Sequence, residues 1–212
     1  MFKIVVLLSG KGSNLQAIID QIDTGKLNAE ISAVISNRAD AYGLKRAENT
    51  GIDNIVLDHS HFLDRESFDQ SLAQIINSYS PDLVVLAGFM RILSDSFVEQ
   101  FEGKLINIHP SLLPKYKGLN THKRALENGD KEHGASVHFV IPELDSGAVI
   151  VQGIVSVKDD DTEATLANRV HQIEHLIYPK AINYLAEKNL EYKKGQVFLN
   201  NELLKEPIRK YL

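Results

Sequence analysis

Short apolar runs that alternate with amphipathic helical segments constrain the fold of this chain more than any other feature. Ile4–Leu8 is a continuous apolar run rich in β-branched residues, which is typical of a strand buried on both faces of a parallel sheet. A glycine-rich turn and a helical pattern follow it, and the same order recurs along the first hundred residues or so. This alternation predicts an α/β fold with a doubly wound, mostly parallel, Rossmann-like sheet and helices on both faces.

The second half of the chain is expected to add an antiparallel edge to this sheet. Ala148–Val157 follows a turn and is predicted to run antiparallel to the strand before it. The tail over Tyr192–Leu203 alternates in polarity around Asn200-Asn201, which predicts a small hairpin. The other predicted strands are Glu30–Ser36, Asn54–Leu57, Leu83–Ala87, a strand ending near His109, and Gly134–Ile141, and the predicted helices are Leu15–Ile22, Ala41–Thr50, Arg65–Ser78, Leu119–Asn128 and Thr162–Leu185.

Length, charge and cysteine content limit the classes of function. We predict one domain over the 212 residues, with halves at 1–100 and 101–212, because no repeat or linker interrupts the pattern. The net charge of −5 disfavours a nucleic-acid binder, which usually carries a basic patch. The absence of cysteine excludes disulfides and a thiol nucleophile. No apolar run approaches the roughly 18 residues of a membrane span, and the N-terminus lacks the regions of a signal peptide, so we expect a soluble, cytoplasmic protein.

Asn107 and His109 alternate at the end of a short apolar run. Residues i and i+2 of a strand share a face, so both side chains are expected to point the same way. Pro110 and Pro114 then end the strand. A carboxamide can stabilise a developing oxyanion, and an imidazole can move a proton near neutral pH. An isolated pair of this kind is more often a turn cap and a half-buried histidine, so the pair alone leaves both interpretations open.

The turn after the first strand, Gly10-Lys-Gly-Ser-Asn14, matches neither G-x-G-x-x-G nor the Walker pattern. Gly10 and Gly12 permit close approach of the backbone. Ser13 and Asn14 add donors at a helix N-terminus, where anions bind readily. The alternative is a tight turn in which Ser13 or Asn14 serves only as the N-cap, and the residues themselves do not decide between the two.

Two histidine patterns suggest metal ligands, and both are interpreted otherwise. His59 and His61 lie in a polar turn without further convergent ligands and are expected at the surface. His171, Glu174 and His175 satisfy H-x-x-E-H, in which the two histidines share a helix face. Such a zinc site also needs a third ligand from elsewhere in the chain. We therefore expect no metal.

Four motifs together carry a resemblance to a known family. The string NIHPSLLP at 107–114, with LDSG at 144–147, resembles the folate-dependent formyltransferases. SGKGSNLQAII, AGFMRIL and LENGDKEHGASVHFV extend the resemblance to the whole chain, in particular to the family members that act on glycinamide ribonucleotide. The resemblance implies transfer of a formyl group from the co-substrate 10-formyltetrahydrofolate to the amine of glycinamide ribonucleotide, a step of de novo purine biosynthesis.

The resemblance also assigns roles to individual residues. It implies a catalytic set in which Asn107 stabilises the tetrahedral oxyanion, His109 moves protons and Asp145 orients His109. Lys11 and Asn120 are positions where relatives carry other residues. The remaining implied contacts are Gly12, Ser13 and Asn14 to the substrate phosphate, Glu174 to the glycinamide part of the substrate, and Arg65, Met90, Arg91, Ile92, Leu93, Ile141 and Asp145 to the folate.

Related and unrelated functions compete with this interpretation. Formyltransferases that act on tRNA share the Asn/His/Asp core but carry a further C-terminal domain, and formyltetrahydrofolate hydrolases carry a further N-terminal domain. The length of this chain disfavours both. A non-catalytic nucleotide- or folate-binding module would have no need of an intact Asn107, His109 and Asp145. We expect an enzyme that binds small molecules and exists as a monomer or a homodimer.

Overall fold

The computed structural model describes all 212 residues, which divide into two compact units, Met1–Ile106 and Asn107–Leu212. None of the helices combines the length and the apolar character that a membrane span requires. The first unit contains, in chain order, β1 (Phe2–Leu8), α1 (Ser13–Asp23), β2 (Ala29–Ser36), α2 (Tyr42–Asn49), β3 (Asn54–Val56), a 3₁₀ turn (His59–His61), α3 (Arg65–Ser78), β4 (Leu83–Leu86) and α4 (Asp95–Gln100).

The strands of the first unit are all parallel and pair in the order β4-β1-β2-β3. The apolar run Ile4–Leu8 of β1 is fully buried, as its sequence predicts. The helix predicted over Arg65–Ser78 has those bounds. Its N-cap is Asp64, whose side chain accepts a hydrogen bond from the Ser67 backbone N–H at 2.8 Å. Its buried stripe consists mainly of Phe68, Leu72 and Ile76, the spacing expected of a helix that packs one face on a sheet.

The second unit combines a mixed sheet with one long helix. The strand order within the unit is β5 (Leu105–His109), β6 (Glu132–Phe139), β7 (Val149–Ser156) and β11 (Ile208–Tyr211). Strands β6 and β7 are antiparallel, and β11 runs parallel to β7. The predicted α/β fold with a mostly parallel sheet and an antiparallel part near the C-terminus is confirmed. The elements are β5 (Leu105–His109, which starts in the first unit), α5 (Thr121–Glu127), β6 (Glu132–Phe139), β7 (Val149–Ser156), α6 (Glu163–Ala186), β8 (Leu190–Lys193), β9 (Gln196–Leu199), β10 (Glu202–Leu203) and β11 (Ile208–Tyr211).

The tail is more extensive than the predicted hairpin. A three-stranded antiparallel sheet forms in the order β10-β9-β8. Its two turns, Lys194-Gly195 and Asn200-Asn201, have positive φ at both central residues, as type I′ hairpin turns require. The strand predicted to reach Ile141 ends at Phe139 instead. Pro142 has no N–H to continue the ladder, so Ile141 lies in the following loop.

Candidate active site

Four polar side chains of the second unit form one cluster, which we call the polar cluster: Asn107, His109, His138 and Asp145. Asn107 and His109 alternate on β5, as predicted, and His138 lies on β6. Asn107 Nδ2 is 3.3 Å from His138 Nε2. His109 Nδ1 is 3.4 Å from Asp145 Oδ2, and His138 Nε2 is 3.8 Å from Asp145 Oδ1. The structure therefore brings together the three residues predicted as the catalytic set and adds a fourth.

Asp145 is held in place by backbone geometry. Its φ of 48° lies in the left-handed region, which aspartate tolerates better than most residues. Two residues later, a Cβ on Gly147 would collide with the carbonyl oxygen of Phe139, so only glycine fits there. The carboxylate Oδ2 accepts a hydrogen bond from the Gly118 N–H at 2.9 Å. The turn therefore fixes a buried carboxylate beside His109.

Both ring nitrogens of His109 face hydrogen-bond acceptors. Nε2 donates to the backbone carbonyl of Tyr116 at 2.9 Å, and Nδ1 faces the carboxylate of Asp145. A doubly protonated imidazole can donate to both, whereas a neutral one can donate to only one of them. The His109 side chain is only 8% exposed. Contact with a substrate therefore requires that Tyr116 or a neighbouring group give way.

His138 is a component that sequence reasoning missed. Burial lowers its pKa, so the neutral ring is favoured. Its Nδ1 lies 2.8 Å from the carbonyl of Phe139, which can only accept, so Nδ1 carries the proton. Nε2 is then an acceptor for one N–H of the Asn107 carboxamide, and this contact sets the orientation of that amide. The available signal was a histidine in an apolar strand that also contains Val137 and Phe139.

The segment between β5 and α5 is anchored by several polar contacts. Tyr116, whose carbonyl meets His109, donates its hydroxyl to Asp130 Oδ2 at 2.8 Å. Burial and the nearby Asp130 carboxylate raise the pKa of the Tyr116 hydroxyl. Lys115 also pairs with Asp130 at 3.1 Å, and Lys117 pairs with Glu143 at 3.0 Å. The position of the carbonyl that binds His109 therefore depends on an extended set of polar contacts.

A second histidine pair lies in the same unit, on α5 and β6. His122 Nδ1 is 3.1 Å from His133 Nε2. Burial lowers the pKa of both rings, that of His133 to about 4. The two rings therefore remain neutral at neutral pH, and one N–H serves the pair as donor.

The glycine-rich turn of the first unit leads into α1 without a capping side chain. Gly12 is the N-cap residue, with a φ of 68° that favours glycine, and no side chain caps the first turn. The alternative in which Ser13 or Asn14 is the N-cap is therefore wrong: both lie inside the helix. The N-terminus of an α-helix carries partial positive charge and backbone N–H groups without intrahelical partners, and both attract anions.

The loop after β4 presents its apolar residues in two different ways. Met90 is 73% exposed and Ile92 is 66% exposed, whereas Leu93 is buried. The Arg91 guanidinium lies over the Phe68 ring, 4.5 Å from its centroid. Met90 and Ile92 are therefore not part of the core.

A chain of polar contacts through the buried residues Ser9 and Asn37 supports that loop. The Met90 N–H donates to Ser9 Oγ at 2.8 Å, and Ser9 Oγ donates to Asn37 Oδ1 at 2.5 Å. His59 Nδ1 is 3.0 Å from the carbonyl of Asn37. His59, considered above as a metal ligand, is thus engaged with Asn37. These contacts connect the segments that follow β1, β2, β3 and β4.

The remaining predicted residues occupy separate positions. Arg65 is the first residue of α3 and is partly exposed, and its Nη2 lies 3.4 Å from Glu66 Oε1. Ile141 is half-buried after β6. Glu174 is buried on α6, and burial together with the Glu174 charge raises the pKa of Tyr178 well above its usual range. No group of three or more His, Cys, Asp or Glu side chains is arranged to hold a metal ion.

Known proteins resemble this chain along nearly its full length. A family model described as formyl transferase matches residues 2–182. The chain is 53% identical over 201 residues to phosphoribosylglycinamide formyltransferase of Escherichia coli (strain K12), covering 95% of both chains. It is 45% identical over 204 residues to the protein of that name from Haemophilus influenzae, covering 96% of both. A solved structure, the phosphoribosylglycinamide formyltransferase from Coxiella burnetii in complex with CHES, matches with a TM-score of 0.94 and 52% identity over 98% of each chain.

Proposed function

This chain belongs to the formyl transferase family, and we propose that it transfers the formyl group of 10-formyltetrahydrofolate to the primary amine of glycinamide ribonucleotide. The relatives named phosphoribosylglycinamide formyltransferase support this activity, since they match the chain over almost its whole length. The observation that carries the proposal is the polar cluster, in which a carboxamide, an imidazole and a carboxylate lie within hydrogen-bonding or ion-pairing distance of their neighbours.

The first step needs a donor for a developing oxyanion. The amine nitrogen attacks the formyl carbon, and the carbonyl oxygen gains negative charge as the tetrahedral intermediate forms. Asn107 is suited to this role because one amide N–H is committed to His138 Nε2, which leaves the other available. Preorganised donors of this type typically contribute about 10²–10³ in rate. Asn107 needs no proton transfer to act.

The second requirement is the movement of one proton between two nitrogens. The attacking amine must lose a proton, and N10 of the folate must gain one as the bond from the formyl carbon to N10 breaks. His109 can accept the first and deliver the second, so the reaction balances without a covalent enzyme intermediate. The adjacent Asp145 carboxylate, 3.4 Å away, stabilises the imidazolium. Positioned acid–base groups contribute roughly 10²–10⁴ in rate.

Substrate binding is proposed for residues of both units. We place the phosphate of the nucleotide at the N-terminus of α1, on Gly12, Ser13 and Asn14, because that helix lacks a capping side chain. Glu174 is proposed to contact the glycinamide part of the substrate. The folate is assigned to Met90, Arg91, Ile92 and Leu93, supported by the exposure of Met90 and Ile92, and to Arg65 for its acidic tail, Ile141 and Asp145.

We further propose the physical setting of this activity. Residues 1–212 act as one catalytic domain, with the phosphate turn in the first half and the catalytic residues in the second. The enzyme works on small molecules in the cytoplasm as a monomer or homodimer, and uses neither metal nor nucleic acid. The folate is a co-substrate that leaves as tetrahydrofolate in each turnover.

The test measures the release of tetrahydrofolate by absorbance, with and without glycinamide ribonucleotide. Release that depends on the amine, together with formylated product, is the expected result. Release that is indifferent to the amine would identify a hydrolase. No release under either condition, with intact binding of folate or nucleotide, would identify a non-catalytic binding module.

A further inference from the structure

The glycine-rich turn that precedes α1 is in continuous contact with α2. The Gly43 N–H donates to the carbonyl of Gly10 at 3.0 Å. Arg46 Nε donates to the carbonyl of Lys11 at 2.9 Å. A Cβ on Gly12 would lie 2.7 Å from Gly43 Cα, so the two backbones touch. Three consecutive residues of the turn therefore contact one side of α2.

The guanidinium of Arg46 is fixed by more than the turn. Its Nη1 donates to Gln16 Oε1 on α1 at 2.9 Å. Its central carbon lies 5.0 Å from the centroid of the Tyr42 ring. The side chain is half-buried. Hydrogen bonds from a charged donor are stronger than neutral ones, so Arg46 joins α1, α2 and the turn through a rigid planar group.

These contacts determine where the N–H groups of the turn point. In a planar trans peptide the carbonyl of one residue and the N–H of the next point in opposite directions. With the Gly10 and Lys11 carbonyls drawn toward α2, the N–H groups of Lys11 and Gly12 face away from it. Successive N–H groups that point to a common side form a site for an anion. The contacts with α2 therefore orient the turn for anion binding.

We propose that Arg46 is a positioning residue for the phosphate of the substrate. It holds the Lys11 carbonyl so that the adjacent N–H groups are aimed at the phosphate before the substrate arrives, and its positive charge adds to the field there. This inference rests on the proposed function, in which Gly12, Ser13 and Asn14 bind that phosphate. Arg46 itself touches no reacting atom.

The experiment compares two substrates that differ only in the phosphate. Wild type, Arg46→Gln and Arg46→Lys are assayed with glycinamide ribonucleotide and with the corresponding riboside. For Arg46→Gln we expect kcat/KM to fall about tenfold with the ribonucleotide, through KM, since the charge-assisted hydrogen bond that holds the Lys11 carbonyl is lost. With the riboside, kcat/KM should stay at the wild-type value. Arg46→Lys keeps the positive charge but loses the planar pair of donors. Its kcat/KM with the ribonucleotide should lie between those of wild type and Arg46→Gln.

Arg38→Gln provides the matched control, since it removes the same charge from an exposed residue that pairs with Asp40. Arg38→Gln should leave the ratio of kcat/KM for the ribonucleotide to kcat/KM for the riboside unchanged. An equal loss on both substrates in Arg46→Gln, or no loss on either, would overturn the inference. Wild-type enzyme that uses riboside and ribonucleotide equally well would instead refute the phosphate assignment of the turn, and the inference with it.

Discussion

The two units present functional groups in opposite ways. In the first unit the proposed contacts are backbone N–H groups at Gly12 and exposed apolar side chains such as Met90. Buried polar groups behind them, such as Ser9 and Asn37, hold the backbone in position. In the second unit the proposed reactive groups are side chains, of which His109 and Asp145 are buried. Because these groups all lie in the second unit, substitutions in the first unit should change substrate affinity rather than the chemical step.

The largest expected effect tests the second half of this comparison. Asn107→Ala should lower kcat by about 10²–10³, because it removes the proposed donor to the oxyanion. KM for both substrates should change little. Asn183→Ala, in the last turn of α6, is a control on an amide outside the cluster, because that amide donates only to Glu187. A loss confined to KM would place Asn107 among the binding residues.

A smaller effect on kcat is expected for His138, which contacts Asn107 and not the reacting atoms. His138→Phe keeps an aromatic ring but removes the acceptor that orients the Asn107 amide. One neutral hydrogen bond corresponds to about 1 kcal/mol, so kcat should fall by roughly five- to tenfold. In the Asn107→Ala background the same substitution should have almost no further effect on kcat. Additive losses in this double-mutant cycle would show that His138 acts independently of Asn107.

The first unit is tested by Ser9→Ala, which removes the acceptor of the Met90 N–H and the donor to the buried Asn37 Oδ1. We expect KM for the folate to rise several-fold with kcat nearly unchanged. The free energy of unfolding, measured in urea, should fall by about 1–3 kcal/mol because the buried Asn37 oxygen loses its donor. Ser78→Ala, at the exposed end of α3, should do neither. A fall in kcat without a change in KM would contradict the division between the units.

The smallest effect concerns stability rather than catalysis. Burial lowers the pKa of His133 to about 4, below the usual value of roughly 6.5 in the unfolded chain. The unfolded state therefore binds more protons in this window, and the free energy of unfolding declines as the pH falls from about 6.5 to 4. Urea unfolding at several pH values should show a shallower decline in His133→Gln. An unchanged pH dependence would mean that other groups dominate.

Features that depend on local sequence patterns were predicted correctly, whereas features that depend on contacts between distant parts of the chain were not. The buried run Ile4–Leu8, the bounds of α3 and the shared face of Asn107 and His109 follow from local periodicity. His138 was missed because the sequence of a strand does not indicate which side chains of the neighbouring strand its own side chains will contact. Gly12 is the N-cap of α1, although Ser13 and Asn14 are of types that cap helices more often. The position of Gly12 against Gly43 leaves no room for a Cβ there, and no local pattern indicates this contact.

The tail illustrates the same limit. The turn at Asn200-Asn201 was predicted, but β8 and β11 were not. β11 is short and largely exposed, and each of its residues pairs with a residue of β7 that lies 57 positions earlier in the chain. No local pattern specifies such a partner. Long-range pairing, rather than propensity, decided where these strands lie.

The most direct test of the account measures turnover and binding in the same variant, His109→Ala. Formyl transfer is followed by absorbance, and binding of glycinamide ribonucleotide by calorimetry. We predict that kcat falls by roughly 10²–10⁴, while the Kd of the nucleotide stays close to the wild-type value. Retention of turnover, or a loss of binding that accounts for the loss of turnover, would contradict the role of the polar cluster as the catalytic centre.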